Sequence, residues 1–211
     1  VLQLKTRLKP MQTSQLQRAG LVVLLAGQLL PMIDFSIVNV ALDAMAHTLR
    51  ATAIELALIV AVYGIAFAIC LAMGGRLGDN YGRRRIFLAG VWVFGIASLL
   101  CGIANSVGLL MFARALQGVG AAFIVPQILA TMHVTLKGRD HARAIGLYGG
   151  IGGLAFIIGQ VLGGFLIKAD IGGYGWRSVF LINLPICLFV LITARRFVPE
   201  THNQQRVPVD V

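Results

Sequence analysis

Two ionisable residues stand inside long apolar runs of this 211-residue chain, Asp34 and Arg114. A charge at mid-bilayer costs roughly 2.5–3.5 kcal/mol on insertion scales, so such residues are there for a structural or a chemical reason. The structural reading is a buried ion pair, or two side chains that snorkel separately to the surface. The chemical reading is a proton or cation relay. Desolvation favours the neutral carboxyl and a neighbouring guanidinium favours the carboxylate, so an arriving substrate that shifts this balance changes the proton occupancy. Gln117 follows Arg114 by three residues and shares its helical face, offering a neutral donor and acceptor to a ligand or to the pair. Phe35 and Tyr63 are candidate walls of an adjoining substrate cavity, because aromatic faces bind organic cations; packing against another helix is the alternative use of the same rings. Asn39 points off the Asp34 face and is expected to satisfy backbone or a neighbouring helix. His133, close to the end of its apolar run, reads as an interface residue or a titrating one.

The elements that hold these residues must themselves be apolar. Hydrophobic residues make up 58% of the chain and charged ones 12%, against roughly 45–50% and about 25% in soluble domains. That balance excludes a water-soluble globule. The 25 glycines come without Ser or Pro enrichment or a collagen period, which excludes linker and disorder classes. A membrane span needs about 20 apolar residues, and six runs qualify: Ala19–Leu42, Leu56–Gly75, Ile86–Ala104, Val107–Met132, Ala144–Ile167 and Ser178–Ala194. The expected fold class is therefore all-α, a polytopic bundle of six transmembrane helices over 19–194. A basic cytoplasmic tail, 1–18, precedes it, and 195–211 reads as the start of a cytoplasmic linker or of further spans. On this map Asp34 and Arg114 both lie about 10–12 Å below the same surface.

The formal net charge of +10 raises the possibility of nucleic-acid binding. Fourteen of the eighteen basic residues fall in the two tails and the even-numbered connections, where they alternate with apolar spans instead of forming one folded face. Nucleic acid is thus excluded as a partner, and the positive-inside rule makes both termini cytoplasmic. The first run exceeds the roughly 7–15 residues of a secretory signal core and five more follow, so it reads as a span. Cys70, Cys101 and Cys187 lie in spans without metal-ligand spacing and read as apolar filler. No Ser/His/Asp set, metal cluster or phosphate-cradling loop suggests an enzyme.

The connection between spans two and three reads Gly75-Arg76-Leu77-Gly78-Asp79-Asn80-Tyr81-Gly82-Arg83-Arg84-Arg85. Its glycines permit a tight reversal, Asp79 accepts hydrogen bonds from backbone and arginine, and the arginines meet an anionic leaflet. This loop resembles the signature cytoplasmic loop of the major facilitator superfamily. Three further stretches resemble its drug/proton antiporter branch with fourteen spans: Asp34-Phe35-Ser36-Ile37-Val38-Asn39-Val40-Ala41-Leu42, although Asp43 stands at the usual following proline; Arg114-Ala115-Leu116-Gln117-Gly118-Val119-Gly120; and Gly175-Trp176-Arg177 followed by Phe180-Leu181-Ile182-Asn183-Leu184-Pro185. In span five, Gly159-Gln160-Val161-Leu162-Gly163-Gly164 resembles the antiporter motif with Gln160 where the family has proline. Gly152, Gly159 and Gly163, with Ala155, make a small-residue strip suited to close helix approach, and plain packing within the bundle is the alternative to an antiport role.

The resemblance implies half of a transporter built from 3+3 inverted repeats, with the site at midplane between two halves. It implies a proton-transfer role for Arg114 beside Asp34, and a conformational-switch role for Gly75, Asp79, Gly82, Arg83 and Arg84. The expected function is proton-coupled export of hydrophobic or cationic drugs across the cytoplasmic membrane, with the proton gradient as energy source and no cofactor. Expected partners are the lipid bilayer, a small-molecule substrate and a C-terminal transporter half, in the same full-length chain or a second copy. Two rival readings stay open: uptake or exchange of a polar or anionic metabolite anchored by Arg114, and a truncated six-span protein that does not transport.

Overall fold

A computed structural model describes residues 16 and 18–201. Most of the 1–18 tail and of 195–211 lies outside the described residues. Helix α1 is Arg18–Leu49, α2 Ala53–Tyr81, α3 Arg83–Gly102, α4 Val107–Thr135 and α5 Gly138–Ala169. Two short 3-10 turns, Ile171–Gly173 and Gly175–Arg177, lead into α6, Ser178–Leu181, and α7, Asn183–Phe197. The segment Gly175–Phe197 counts as one span, so six are long and apolar enough to cross a membrane, and no strand occurs among the described residues. The break at Ile182 follows from Pro185, which has no N–H to give the Leu181 carbonyl.

Three helices outrun the apolar windows. Helix α1 continues about two turns past Leu42, α2 continues to Tyr81, and α5 begins at Gly138, one and a half turns before Ala144. Hydropathy marks only the lipid-crossing part, whereas helix ends are set by capping. Thr52 caps α2 through a capping box, its Oγ1 accepting from Glu55 N at 3.3 Å while Glu55 Oε2 accepts from Thr52 N at 2.7 Å. Ser106 Oγ accepts from Leu109 N at 3.3 Å to start α4.

The expected loop between spans two and three is corrected by the structure. Gly75, Arg76 and Asp79 are the last turns of α2, and Gly82 alone, at φ 105°, separates α2 from α3. The glycines serve contact, not reversal: a Cβ at Gly74 would meet the Ala122 carbonyl of α4, and one at Gly78 the Gln127 side chain. The reversal belongs to Gly82, whose positive φ suits a residue without Cβ.

Packing follows an exchange symmetry. Helix α1 lies along α5 and α2 along α4, while α3 contacts both α4 and α7, and α1 contacts α6 and α7. Exchanging the first three spans for the last three maps this pattern onto itself, as a 3+3 inverted repeat requires. Glycines set the closest approaches. A Cβ at Gly118 of α4 would meet the Tyr63 carbonyl of α2, and a Cβ at Gly159 or Gly163 of α5 would meet Ser36 or Ile37 of α1. Of the expected strip, Ala155, Gly159 and Gly163 are packed, whereas a Cβ at Gly152, or at Gly164 beside the strip, would meet open space among the described residues.

The interior divides into two apolar cores. One gathers Leu24, Leu30, Phe87, Phe94, Ala121, Ile124, Cys187 and Val190. The other gathers Ile33, Ile37, Cys101, Leu110, Ala113, Trp176 and Phe180. On α1, α3, α4 and the broken sixth span the change-over falls at a polar residue or beside one: Asp34, Ser98, Gln117 and Asn183. The bundle is two greasy layers with a polar layer between.

Candidate functional site

Asp34, Arg114 and Gln117 meet in that polar layer. Asp34 Oδ2 accepts from Arg114 Nη1 in a close ion pair. Asp34 Oδ1 accepts from Gln117 Nε2 at 2.9 Å and from Asn183 Nδ2 at 3.1 Å. Gln117 Nε2 also donates to Ser98 Oγ at 2.8 Å, and its Oε1 accepts from Arg114 Nη1 at 2.8 Å and from the Cys101 thiol at 3.3 Å. Asn183 Nδ2 reaches the same Ser98 Oγ at 3.3 Å. Four spans therefore join in one network around the carboxylate, whose own contacts, from two of them, are all donors. This is the bonding pattern of an ionised carboxyl, since a protonated one would need an acceptor.

The helical register explains the convergence. Arg114 and Gln117 stand three apart on one face of α4, and Ser98, one turn before the end of α3, faces Gln117. The Pro185 break lets Asn183 enter from the far side of the bundle. Helix α1 extends to Leu49, so Asp34 lies about 22 Å along the helix from that end, against about 10 Å for Arg114 from Val107. The helix ends thus lie at unequal distances from the pair, while the equal depth read from the apolar ends agrees with the two side chains meeting at one level.

The pair is buried within this half. Asp34 and Gln117 have no exposed surface and Arg114 is 1% exposed. Tyr63, at 4%, lays its ring over the Arg114 guanidinium with 4.3 Å from Cζ to the centroid, and its hydroxyl donates to the Pro31 carbonyl at 3.4 Å. The Phe180 ring stands 5.9 Å from the same guanidinium. Phe35 is 43% exposed and its ring lies 6.4 Å from that of Tyr63. The rings thus lead from the surface inward in the order Phe35, Tyr63, Arg114. Two buried polar atoms in the layer have no partner, Arg114 Nε and Asn183 Oδ1.

The Arg-rich corner is a second cluster. Arg83 donates from Nε and Nη2 to Asp79 Oδ1 at 3.1 and 2.5 Å. Arg84 donates from Nη1 to the carbonyls of Arg195 and Val198 at 3.3 and 3.2 Å. Glu200 closes the corner, accepting from Arg84 N at 3.1 Å and pairing with Arg84 and Arg85 at 3.5 and 3.8 Å. The exit of the sixth span is thereby tied to the α2–α3 corner.

Sequence reasoning misses Ser98, Asn183 and Glu200 as members of these clusters. Ser98 and Asn183 are neutral and therefore inexpensive in a span, and Glu200 follows the last span among other polar residues. Their signal is positional, a lone polar letter in an apolar run. Asn39 bonds its own helix at the Phe35 carbonyl, 2.9 Å away, and His133 contacts the Leu129 carbonyl at 2.9 Å with its ring edge-on to His141. Cys101, read as filler, also gives its thiol proton to Gln117. Among the described residues no group of His, Cys, Asp and Glu has metal-binding geometry.

Comparison with known proteins places this geometry. The family model described as Major Facilitator Superfamily matches residues 24–210. The chain is 39% identical over 193 residues to a probable actinorhodin transporter of Streptomyces coelicolor, covering 92% of this chain and 33% of that protein. It is 36% identical over 193 residues to a puromycin resistance protein of Streptomyces alboniger, covering 91% and 38%, and 34% identical over 194 residues to a multidrug resistance protein of Mycobacterium tuberculosis, covering 90% and 35%. A bacterial homologue of the lysosomal transporter Spinster superposes with a TM-score of 0.75 at 20% identity, covering 90% of this chain and 45% of that one. The proton:xylose symporter XylE gives 0.71 at 16%, covering 84% and 44%. The chain spans about a third of the length of the curated relatives it matches, and its six spans form one half of the shared fold. With the family model matched over nearly its whole length, the chain belongs to the major facilitator superfamily.

Proposed function

We propose that the protein is a proton-coupled exporter of hydrophobic, cationic compounds across the cytoplasmic membrane, working with a second six-span half supplied by the same full-length chain or by another copy. Both termini of this half face the cytoplasm. The observation that carries the reading is the Asp34 carboxylate, buried between two apolar cores and met only by donors. Protonation removes the charge that Arg114 neutralises, so the guanidinium must find another partner; Gln117 Oε1 and the Tyr63 ring already face it. A cation arriving past Phe35 competes with the proton for the same negative charge. Binding one and releasing the other is antiport, with rocking of the two halves as the accompanying motion. Gln160 at the family's proline position leaves α5 without a proline kink, so coupling in this reading rests on the polar layer. The relatives named for antibiotic and multidrug resistance support export as the direction.

The test is transport in proteoliposomes with an imposed pH gradient, using cationic, neutral and anionic compounds of similar hydrophobicity. Cations are expected to move against the proton gradient, and Asp34→Asn is expected to abolish this while leaving membrane insertion intact. Preferential movement of the anions would instead favour Arg114 as a metabolite anchor and overturn the reading.

A further inference from the structure

A groove between α3 and α7 lies apart from the polar layer. It encloses about 310 Å³ and is lined by Trp92, Ile96 and Leu99 of α3 and by Leu184, Leu188 and Leu191 of α7, among others. Trp92, Ile96, Leu99 and Leu188 are exposed, so this wall looks outward from the bundle. Helices α2 and α5, which leave long apolar faces uncovered, pack on α4 and α1 instead.

Helical spacing extends the groove to a charged mouth. On α3, Arg85 precedes Trp92 by seven residues, and Ile96 and Leu99 continue the same face. On α7, Leu184, Leu188 and Leu191 are followed on their face by Arg195, four residues on. The helices are antiparallel, so both arginines stand at one end, where Arg84 Nη1 holds the Arg195 carbonyl at 3.3 Å and pins the two ends together. Arg85, Arg195 and Arg196 are exposed. Glu200, 3.8 Å from Arg85, offsets part of this charge, and the mouth remains net positive. From Arg85 the apolar wall begins about 10 Å along the helix and ends about 21 Å along it. Those depths fit the acyl chain of a lipid in one leaflet, whose hydrocarbon is about 15 Å thick beneath its headgroup.

We propose that this groove binds an anionic phospholipid, one acyl chain against Trp92 and Leu188 and the phosphate between Arg85 and Arg195. The groove selects by headgroup, because its walls are apolar and its polar contacts lie only at the mouth. An arginine at the membrane surface raises affinity for an anionic lipid about fivefold; with Glu200 opposing, the pair is expected to prefer anionic over zwitterionic lipid by about five- to twentyfold.

Trp92 reports the site directly. The protein is reconstituted in phosphatidylcholine vesicles with a fixed fraction of phosphatidylglycerol, with bromine on the acyl chains of one lipid or the other. The Trp92 signal is the difference between the parent and Trp92→Phe. Brominated phosphatidylglycerol is expected to quench it more strongly by the stated preference. Arg85→Gln with Arg195→Gln is expected to reduce the preference to near unity without changing quenching by phosphatidylcholine. Raising the ionic strength around the parent protein is expected to weaken the preference as well, a measurement that needs no folded variant. Equal quenching by both lipids, or a preference unaffected by the arginine substitutions or by salt, would overturn the proposal. So would the absence of quenching by either lipid, since the face would then be covered by protein.

Discussion

Gln117 illustrates how one neutral side chain organises two charged ones. It accepts from Arg114 and Cys101 and donates to Asp34 and Ser98, so every polar atom of this fully buried side chain has at least one partner. Gln117→Leu keeps the volume and removes all four contacts. Leaving buried polar groups short of a partner costs about 1–3 kcal/mol. The thermal midpoint in detergent is expected to fall by about 2–4 °C for each kcal/mol; an unchanged midpoint would mean that Gln117 does not hold the layer. The central pair is readable in the sequence because charge in a membrane is expensive, which makes Asp34 and Arg114 conspicuous. Ser98 and Asn183 are not, because their importance lies in which helices face them, and no local pattern encodes that.

At the scale of the helix, glycine carries the account. The α2–α4 and α1–α5 pairs approach so closely that a Cβ at Gly118 would press on the Tyr63 backbone and one at Gly159 on Ser36 and the Ile33 carbonyl. Gly159→Ala is expected to lower the thermal midpoint, because the new methyl would displace the Ser36 hydroxyl from its bond to the Ile33 carbonyl and press on that carbonyl, which is backbone and cannot swing away. Gly164→Ala meets nothing within this half and should leave the midpoint unchanged or raise it, since alanine favours helix by up to about 1 kcal/mol over glycine. Equal losses from the two substitutions, measured side by side, would refute the assignment of contact faces. The same glycines explain where reading the sequence as local signals falls short. Gly75 and Gly78 resemble turn residues in isolation, yet both continue α2; Gly78 serves close contact with Gln127, while a Cβ at Gly75 would make only an ordinary contact with Pro126. Only Gly82, flanked by the Asp79–Arg83 pair and by Glu200, makes the corner. The six apolar runs were legible from hydropathy alone, while helix ends depended on caps such as Thr52 and on polar residues that sustain a helix beyond the lipid.

The whole half is two apolar cores separated by one polar layer, with an internal exchange of triplets that sets α1 against α5 and α2 against α4. In the proposed cycle the hydrogen bonds of the layer are remade when substrate replaces the proton at Asp34, while the two halves rock about an interface formed by the uncovered faces of α2 and α5. The account stands on one exchange, proton for substrate at Asp34. It is tested most directly by following the pH of a weakly buffered solution of the full-length protein in detergent, with an indicator dye, as a transported cation is added. Proton release is expected to saturate with substrate occupancy in the parent and to be absent in Asp34→Asn, whose folding is verified by its thermal midpoint. Release of the same size from the Asp34→Asn protein would contradict it.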